Sequence, residues 1–317
     1  MAASVLAISL TLMVAAGGPV ADRAGGFDST PRATGQPGPG TLLAGCPVFP
    51  RGNAWNRDIS RAPVHPLSSR YIRSIGRTTT LHADFGSGRY GDYGIPFRVV
   101  GRKQQKIPVK FTAYGSESDR GPYPIPLGSR IEGGSDNHVI ALQRGTCRLY
   151  ELYRARRGDG RWLADSGARF DLRSNRLRPA GWTSADAAGL PILPGLARAD
   201  EAGSGRITHA LRVTVSESQR GYIHPARHFA SSSSDRSLPP MGLRLRLKAG
   251  YDLSGFSGQS RTILRALKKY GLIVADNGSD WFISGTPDRR WNDDVLDQLK
   301  SVPGRAFEAV STGRIHR

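Results

Sequence analysis

The sequence predicts a mostly β chain: a β-sandwich or jelly roll with two peripheral helices near the C-terminus. Three observations point there. Short runs of alternating or continuous apolar residues recur along the chain, separated by Gly, Pro and charged turns. Strand and helix patterns do not alternate regularly, which disfavours a parallel α/β sheet. The two helical stripes come late, at 257–270 and 288–299, and suit the edge or end of a β layer.

The chain divides into three stretches. Residues 1–21 form an apolar run ending in small residues, the pattern of a signal peptide, although no Lys or Arg precedes it. Residues 22–45 read as a linker. Its centre, Gly35-Gln36-Pro37-Gly38-Pro39-Gly40, offers no side chain large enough for a core. Residues 46–312 then read as one β-rich domain, long enough to bury a sizeable core. No other segment is long and apolar enough to span a bilayer, so stable membrane insertion after processing is not expected.

Within the domain, 65–75 carries Tyr71, Ile72 and Ile75 at helical spacing. Strands are expected at 78–82, 93–100 and 109–114. A hairpin joins 138–143 to 147–155 across the turn Arg144-Gly145-Thr146. Further strands fall at 167–172, 207–215 and 242–248. The last alternates strictly, which puts Leu243, Leu245 and Leu247 in the core and Arg244, Arg246 and Lys248 in solvent. A helix at 257–270 is expected to end at Gly271. After it, 272–275 and 281–284 read as a hairpin around Asp276-Asn277-Gly278-Ser279, because Asn-Gly is a strong turn signal.

Two cysteines, Cys46 and Cys147, suggest a disulfide in an exported chain. A loop of about 100 residues would gain roughly 4.7 kcal/mol in the chain-entropy picture. Leu43-Ala44-Gly45-Cys46 also matches a lipoprotein processing box, displaced from the apolar run by polar and Gly/Pro residues.

The formal charge is +19, from 45 basic and 26 acidic residues. Such a balance favours an anionic polymer as partner. No helix-turn-helix, zinc-finger or RNA-binding signature accompanies it, so nucleic acid is not expected. No HExxH, Cys/His cluster, G-x-S-x-G or P-loop is present. His224 and His228 are four apart, but Pro225 intervenes, and neither a metal nor any other cofactor is expected.

Candidate chemistry rests on a few polar residues. Glu151 interrupts the hydrophobic strand LYELY, as a carboxylate on the concave face of a sheet would. Asp136 and His138 flank its partner strand, and Asp186 and Glu201 are further acids. Cleavage of a glycosidic bond needs two such carboxyl groups. A polysaccharide lyase instead needs a cation on the uronate and a His or Tyr base. Arg227 or Arg212, with His209 or His228 and Tyr153 or Tyr222, supplies those types. Trp182, in a Gly/Pro-rich loop, is the best platform for a sugar ring. The catalytic candidates are therefore Glu151, Asp136, His138, His209 and Arg227, with Trp182, Arg212 and His228 binding substrate. The expected function is an exported enzyme cleaving a polysaccharide, anionic if charge decides. The alternative is a non-catalytic glycan- or cell-wall-binding module.

The strings CPVFPRGNAWN, GWTSADAAGLPILPGL, PARHFASS and ADNGSDWFISG make the chain resemble a group of exported actinobacterial proteins over about residues 46–310. That resemblance implies one secreted domain and carries no catalytic residue with it.

Overall fold

The computed structural model describes residues 41–317. The leader at 1–21 and most of the 22–45 linker lie outside the described residues. The described chain is mostly β, as the sequence predicts, with few helices. Its entry is tied down at once: β1 (Leu42–Leu43) pairs with β2 (Cys46–Pro47), and Cys46 is joined to Cys147. The disulfide is buried and closes a separation of 101 residues.

The expected hairpin forms between β6 (Val139–Gln143) and β7 (Arg148–Tyr153). It is the middle of a four-stranded sheet, flanked by β4 (Phe97–Val100) and β10 (Ser166–Asp171) in the order β10-β7-β6-β4. Both faces of this sheet are covered. Ile140, Leu142 and Leu149 enter the main core, whereas Val139, Ala141 and Leu152 enter a second core with Trp162, Tyr123 and Ile125. Burial on both faces explains why β6 reads as a continuous apolar run rather than an alternation. The second core is closed by a three-stranded sheet of β5 (Val109–Phe111), β8 (Arg156–Gly158) and β9 (Arg161–Ala164).

The largest sheet has six strands in the order β15-β12-β13-β11-β14-β3. These are β3 (His82–Asp84), β11 (Leu211–Val215), β12 (Arg244–Leu247), β13 (Leu272–Asn277), β14 (Phe282–Ser284) and β15 (Phe307–Val310). Its pairing is mixed: β11 runs parallel to β13, and β14 parallel to β3. A jelly roll predicts antiparallel pairing instead, so the mostly β class holds at a coarser level than that architecture. Helix α1 (Ser68–Ile75) buries Tyr71, Ile72 and Ile75, the predicted stripe. Short α2 (Ala199–Gly203) precedes β11. Helix α3 (Gly258–Lys269) and the single-turn α4 (Asp293–Leu296) are the two late helices. Gly271 follows α3 at φ +68°, the left-handed backbone that a glycine stop supplies.

Two expectations fail for physical reasons. β13 and β14 do not form a hairpin, because β11 lies between them. The Asp276–Ser279 segment is a crossover over the end of β11, where Gly278 donates to Val215 O and Thr214 Oγ1 donates to Ser279 O. Nor do Arg244 and Arg246 face solvent. β12 is an interior strand and the 54–62 segment covers its polar face. Arg244, 2% exposed, donates to Ala54 O at 2.6 Å, and Arg246 donates to Ile59 O and Glu308 at 2.6 Å each. Alternation identified the two faces correctly, but carbonyls that accept from Arg244 and Arg246, with the Glu308 carboxylate on Arg246, let the second face be buried too.

Candidate acid-base site

The six-stranded sheet sets Arg212 on β11, opposite Ile273 near the start of β13 and next to β14. A loop at 183–187 crosses over this point and brings in Asp186. Asp186 is 0% exposed, and Arg212 grips it with two parallel donations, Nη2 to Oδ1 at 2.8 Å and Nε to Oδ2 at 3.2 Å. The third donor, Nη1, reaches Ser284 Oγ on β14 at 2.6 Å. Burial opposes the guanidinium charge, but Asp186 and then Asp276 more than compensate and push its pKa up. Close approach is built into the backbone here. A Cβ at Gly195 would lie 2.6 Å from the Trp55 ring and 3.1 Å from Arg212 Cβ, so only glycine leaves this room.

Asp276, at the end of β13, lies 3.9 Å from the same Arg212 Nη2. Its surroundings differ from those of Asp186 in one respect that matters: its side chain is 22% exposed. Desolvation, reinforced by the Asp186 charge, pushes its pKa up to about 7 against the pull of Arg212. A carboxyl raised in this way beside a charged neighbour is a candidate proton donor. Asp276 opens on a cleft of about 210 Å³, whose walls include Tyr114, Tyr153, Thr183, His228 and Phe229. His228 Nδ1 is 2.9 Å from Ala187 O and so carries the hydrogen. Its Nε2 lies on the side of the cleft, 4.0 Å from Glu117 Oε2.

The residues singled out in the sequence divide into three groups. Arg212 is at the centre of the site, and His228 is on the wall of its cleft. His138, Glu151 and Asp136 adjoin the network from behind. Glu151 pairs in register with Ile140, shares its face and points into the main core rather than onto an open concave surface. It is 0% exposed, and its carboxyl accepts from the backbone N–H groups of Ile192 and Leu193 at 3.0 Å. Desolvation pushes it up to about 7, although those two donors pull the other way. His138 is buried between Glu132, 2.5 Å from Nδ1, and Ala185 O, 2.9 Å from Nε2. Burial disfavours its charge, but the Glu132 carboxylate outweighs burial and raises it to about 9. With both nitrogens donating, His138 is a fixed cation that holds the 183–187 loop and has no lone pair to offer a substrate. Asp136 is exposed beside it.

The remaining candidates lie elsewhere. His209 is fully buried between Ala210 O at 2.8 Å and Glu201 at 2.9 Å, and Glu201 also meets Arg198. This cluster braces α2 and does not line the cleft. Arg227 donates to Arg178 O at 2.8 Å and to His224 at 2.7 Å. Trp182 is half-buried beneath the Arg178 guanidinium, in a neighbouring cleft. Asp276 is the residue that the sequence did not mark, because Asp-Asn-Gly-Ser read as a turn. The available signal was its place as the first polar residue after the wholly buried run Leu272–Ala275. Among the described residues no group of three or more His, Cys, Asp or Glu is placed to hold a metal ion.

Comparison with known proteins finds no matching family model, no matching curated protein and no matching solved structure.

Proposed function

We propose that this chain is an exported carbohydrate-active enzyme that cleaves a polysaccharide, with Asp276 as its proton-carrying group. One observation carries the reading: a carboxyl with its pKa near 7 stands on the wall of an aromatic-sided cleft, beside a second carboxyl already committed to an arginine. A carboxyl that keeps its proton near neutrality can donate it to a glycosidic oxygen as the bond breaks. Tyr114 and Tyr153 offer ring faces and hydroxyls to a sugar. The buried Arg212–Asp186 pair does not reach the substrate. It positions Asp276 and contributes, through the Asp186 charge, to keeping the Asp276 carboxyl protonated.

His228 Nε2 supplies the complementary base. On a neutral glycan it would take a proton from the attacking water, and the products would carry one added water. On a uronate-rich chain it would take the C5 proton while the C4–O bond breaks and Asp276 protonates the leaving oxygen. The new C4=C5 double bond balances that step. The Cys46–Cys147 disulfide supports export, since it suits an oxidising compartment.

The test is mass spectrometry of products after incubation with acidic and neutral polysaccharides. Fragments with an added water support hydrolysis, and unsaturated fragments formed without added water support elimination. Retention of polymer without any product would instead support a non-catalytic binding module.

A further inference from the structure

We propose that an arginine-walled cleft beside this site is a subsite for a chain of acidic sugars, its carboxylates read by Arg148, Arg169 and Arg176. The inference rests on the glycan-cleaving reading and gives it a substrate class. Strand register places two of the arginines together. Asp171 on β10 faces Arg148 on β7, and Arg169 faces Tyr150, so all four stand on one side of the sheet. Arg176 comes from the following loop, and the three line one cleft of about 580 Å³ with Trp182. That size suits a small ligand or one segment of a polymer.

The charges in this cleft are not balanced from within. Arg178 is the buried member, and its donors are committed: it meets the Asp119 carboxylate and donates to Glu117 O at 2.8 Å and Thr183 O at 2.9 Å. The guanidinium groups of Arg148, Arg169 and Arg176, by contrast, form no ion pair within 4.0 Å among the described residues, although Asp119 and Asp171 also line the cleft and Asp119 accepts from the Arg169 backbone N–H at 2.9 Å. Asp171 is close in register to Arg148, but its Oδ1 accepts from the Arg173 N–H instead. Three guanidinium groups without counter-ions, on the wall of a concave surface that also offers an indole, match a ligand with spaced carboxylates and ring faces. Guanidinium recognises carboxylate through two parallel donations, which an ester or hydroxyl cannot accept equally well.

The cleft is joined to the proposed catalytic one by consecutive residues of one segment. Trp182 borders the first and Thr183 the second, and the Arg178 guanidinium ties this segment to Glu117 and Asp119.

The experiment measures anisotropy of a fluorescent polygalacturonate oligomer at 0.15 M salt, against the same oligomer fully methyl-esterified. Three proteins are compared: the parent, Arg148→Gln/Arg169→Gln/Arg176→Gln, and a charge-matched control, Arg51→Gln/Arg61→Gln/Arg70→Gln, at exposed sites elsewhere. The cleft variant should bind the acidic oligomer roughly tenfold more weakly, as three contacts of about twofold each imply, while the control stays within about twofold of the parent. The parent should prefer the acid to the ester by about the same factor. Equal losses in the two variants would reduce the effect to net charge and overturn the proposal. So would equal binding of acid and ester, no binding by the parent, or equally effective competition by oligothymidylate of the same length. If the cleft variant binds normally while Asp276→Asn abolishes cleavage, this subsite falls and the catalytic reading stands. If binding is lost but Asp276→Asn cleaves normally, the subsite stands and the catalytic reading falls.

Discussion

Replacing Arg212 by Met tests whether the centre of the site is held electrostatically. Met keeps most of the aliphatic volume and removes the charge. Asp186 is then left fully buried, since both its carboxylate oxygens take their side-chain donors from Arg212 alone. Removing one partner of a buried ion pair costs about 3–5 kcal/mol, because the other charge stays behind without compensation. A domain holds only about 5–15 kcal/mol in total, so the loss is a large fraction. At this chain length it corresponds to a fall of about 10 °C in the midpoint of thermal unfolding. Urea unfolding at pH 8 measures the change directly. Repeating it at pH 5 adds a signature: the orphaned carboxyl can then take up a proton, so the cost should shrink as pH falls. Adding Asp186→Leu should recover much of the loss, since removing the whole buried pair is often neutral. A loss below about 1 kcal/mol, or one independent of pH, would mean that Asp186 finds water or another donor and that Arg212 does not organise the site.

Other outcomes follow from the same geometry. Glu151→Gln places an amide where two backbone donors expect an oxygen, so it should cost about 1–3 kcal/mol in urea unfolding while leaving turnover within about twofold of the parent. His138 is raised to about 9, so the stability it contributes is complete below its free pKa near 6.5 and is lost as pH rises through about 9. Thermal midpoints between those limits should fall for the parent and stay flatter for His138→Gln, the difference being on the order of 3 kcal/mol. The double change Cys46→Ser/Cys147→Ser should cost about 2–5 kcal/mol, and addition of reductant to the parent should reproduce the loss in a melting curve.

How far the sequence could be read depended on what covers each strand. The 138–155 hairpin, its turn, the α1 stripe, the α3 helix with its Gly271 stop and the disulfide were all legible, because each signal is local. The pairing of β13 was not. Asn277-Gly278 is as good a hairpin turn as sequence offers, yet β11, from about 60 residues earlier, occupies the place beside it. That insertion puts Arg212 next to Asp276, and no spacing along the chain could reveal it. The buried face of β12 escaped notice for a related reason: Arg244 and Arg246 look solvated until the 54–62 segment supplies carbonyls for them. Within the site, Arg212, Asp186 and His228 were recognisable as residue types in one segment. Glu151 and His138 were recognisable as unusual, but their burial turns them towards the core.

The most direct test of Asp276 as the proton carrier is the pH dependence of turnover for the parent and Asp276→Asn on whichever polysaccharide the product screen identifies. Asp276 must be protonated to act as the acid, and its pKa near 7 then sets an alkaline limb, with activity falling as pH rises through about 7. Asp276→Asn should lose about a hundredfold or more in kcat, keep its fold by circular dichroism, and lose that limb. A variant that turns over within about threefold of the parent, with the same alkaline limb, would remove Asp276 from the chemistry and with it the proposed mechanism.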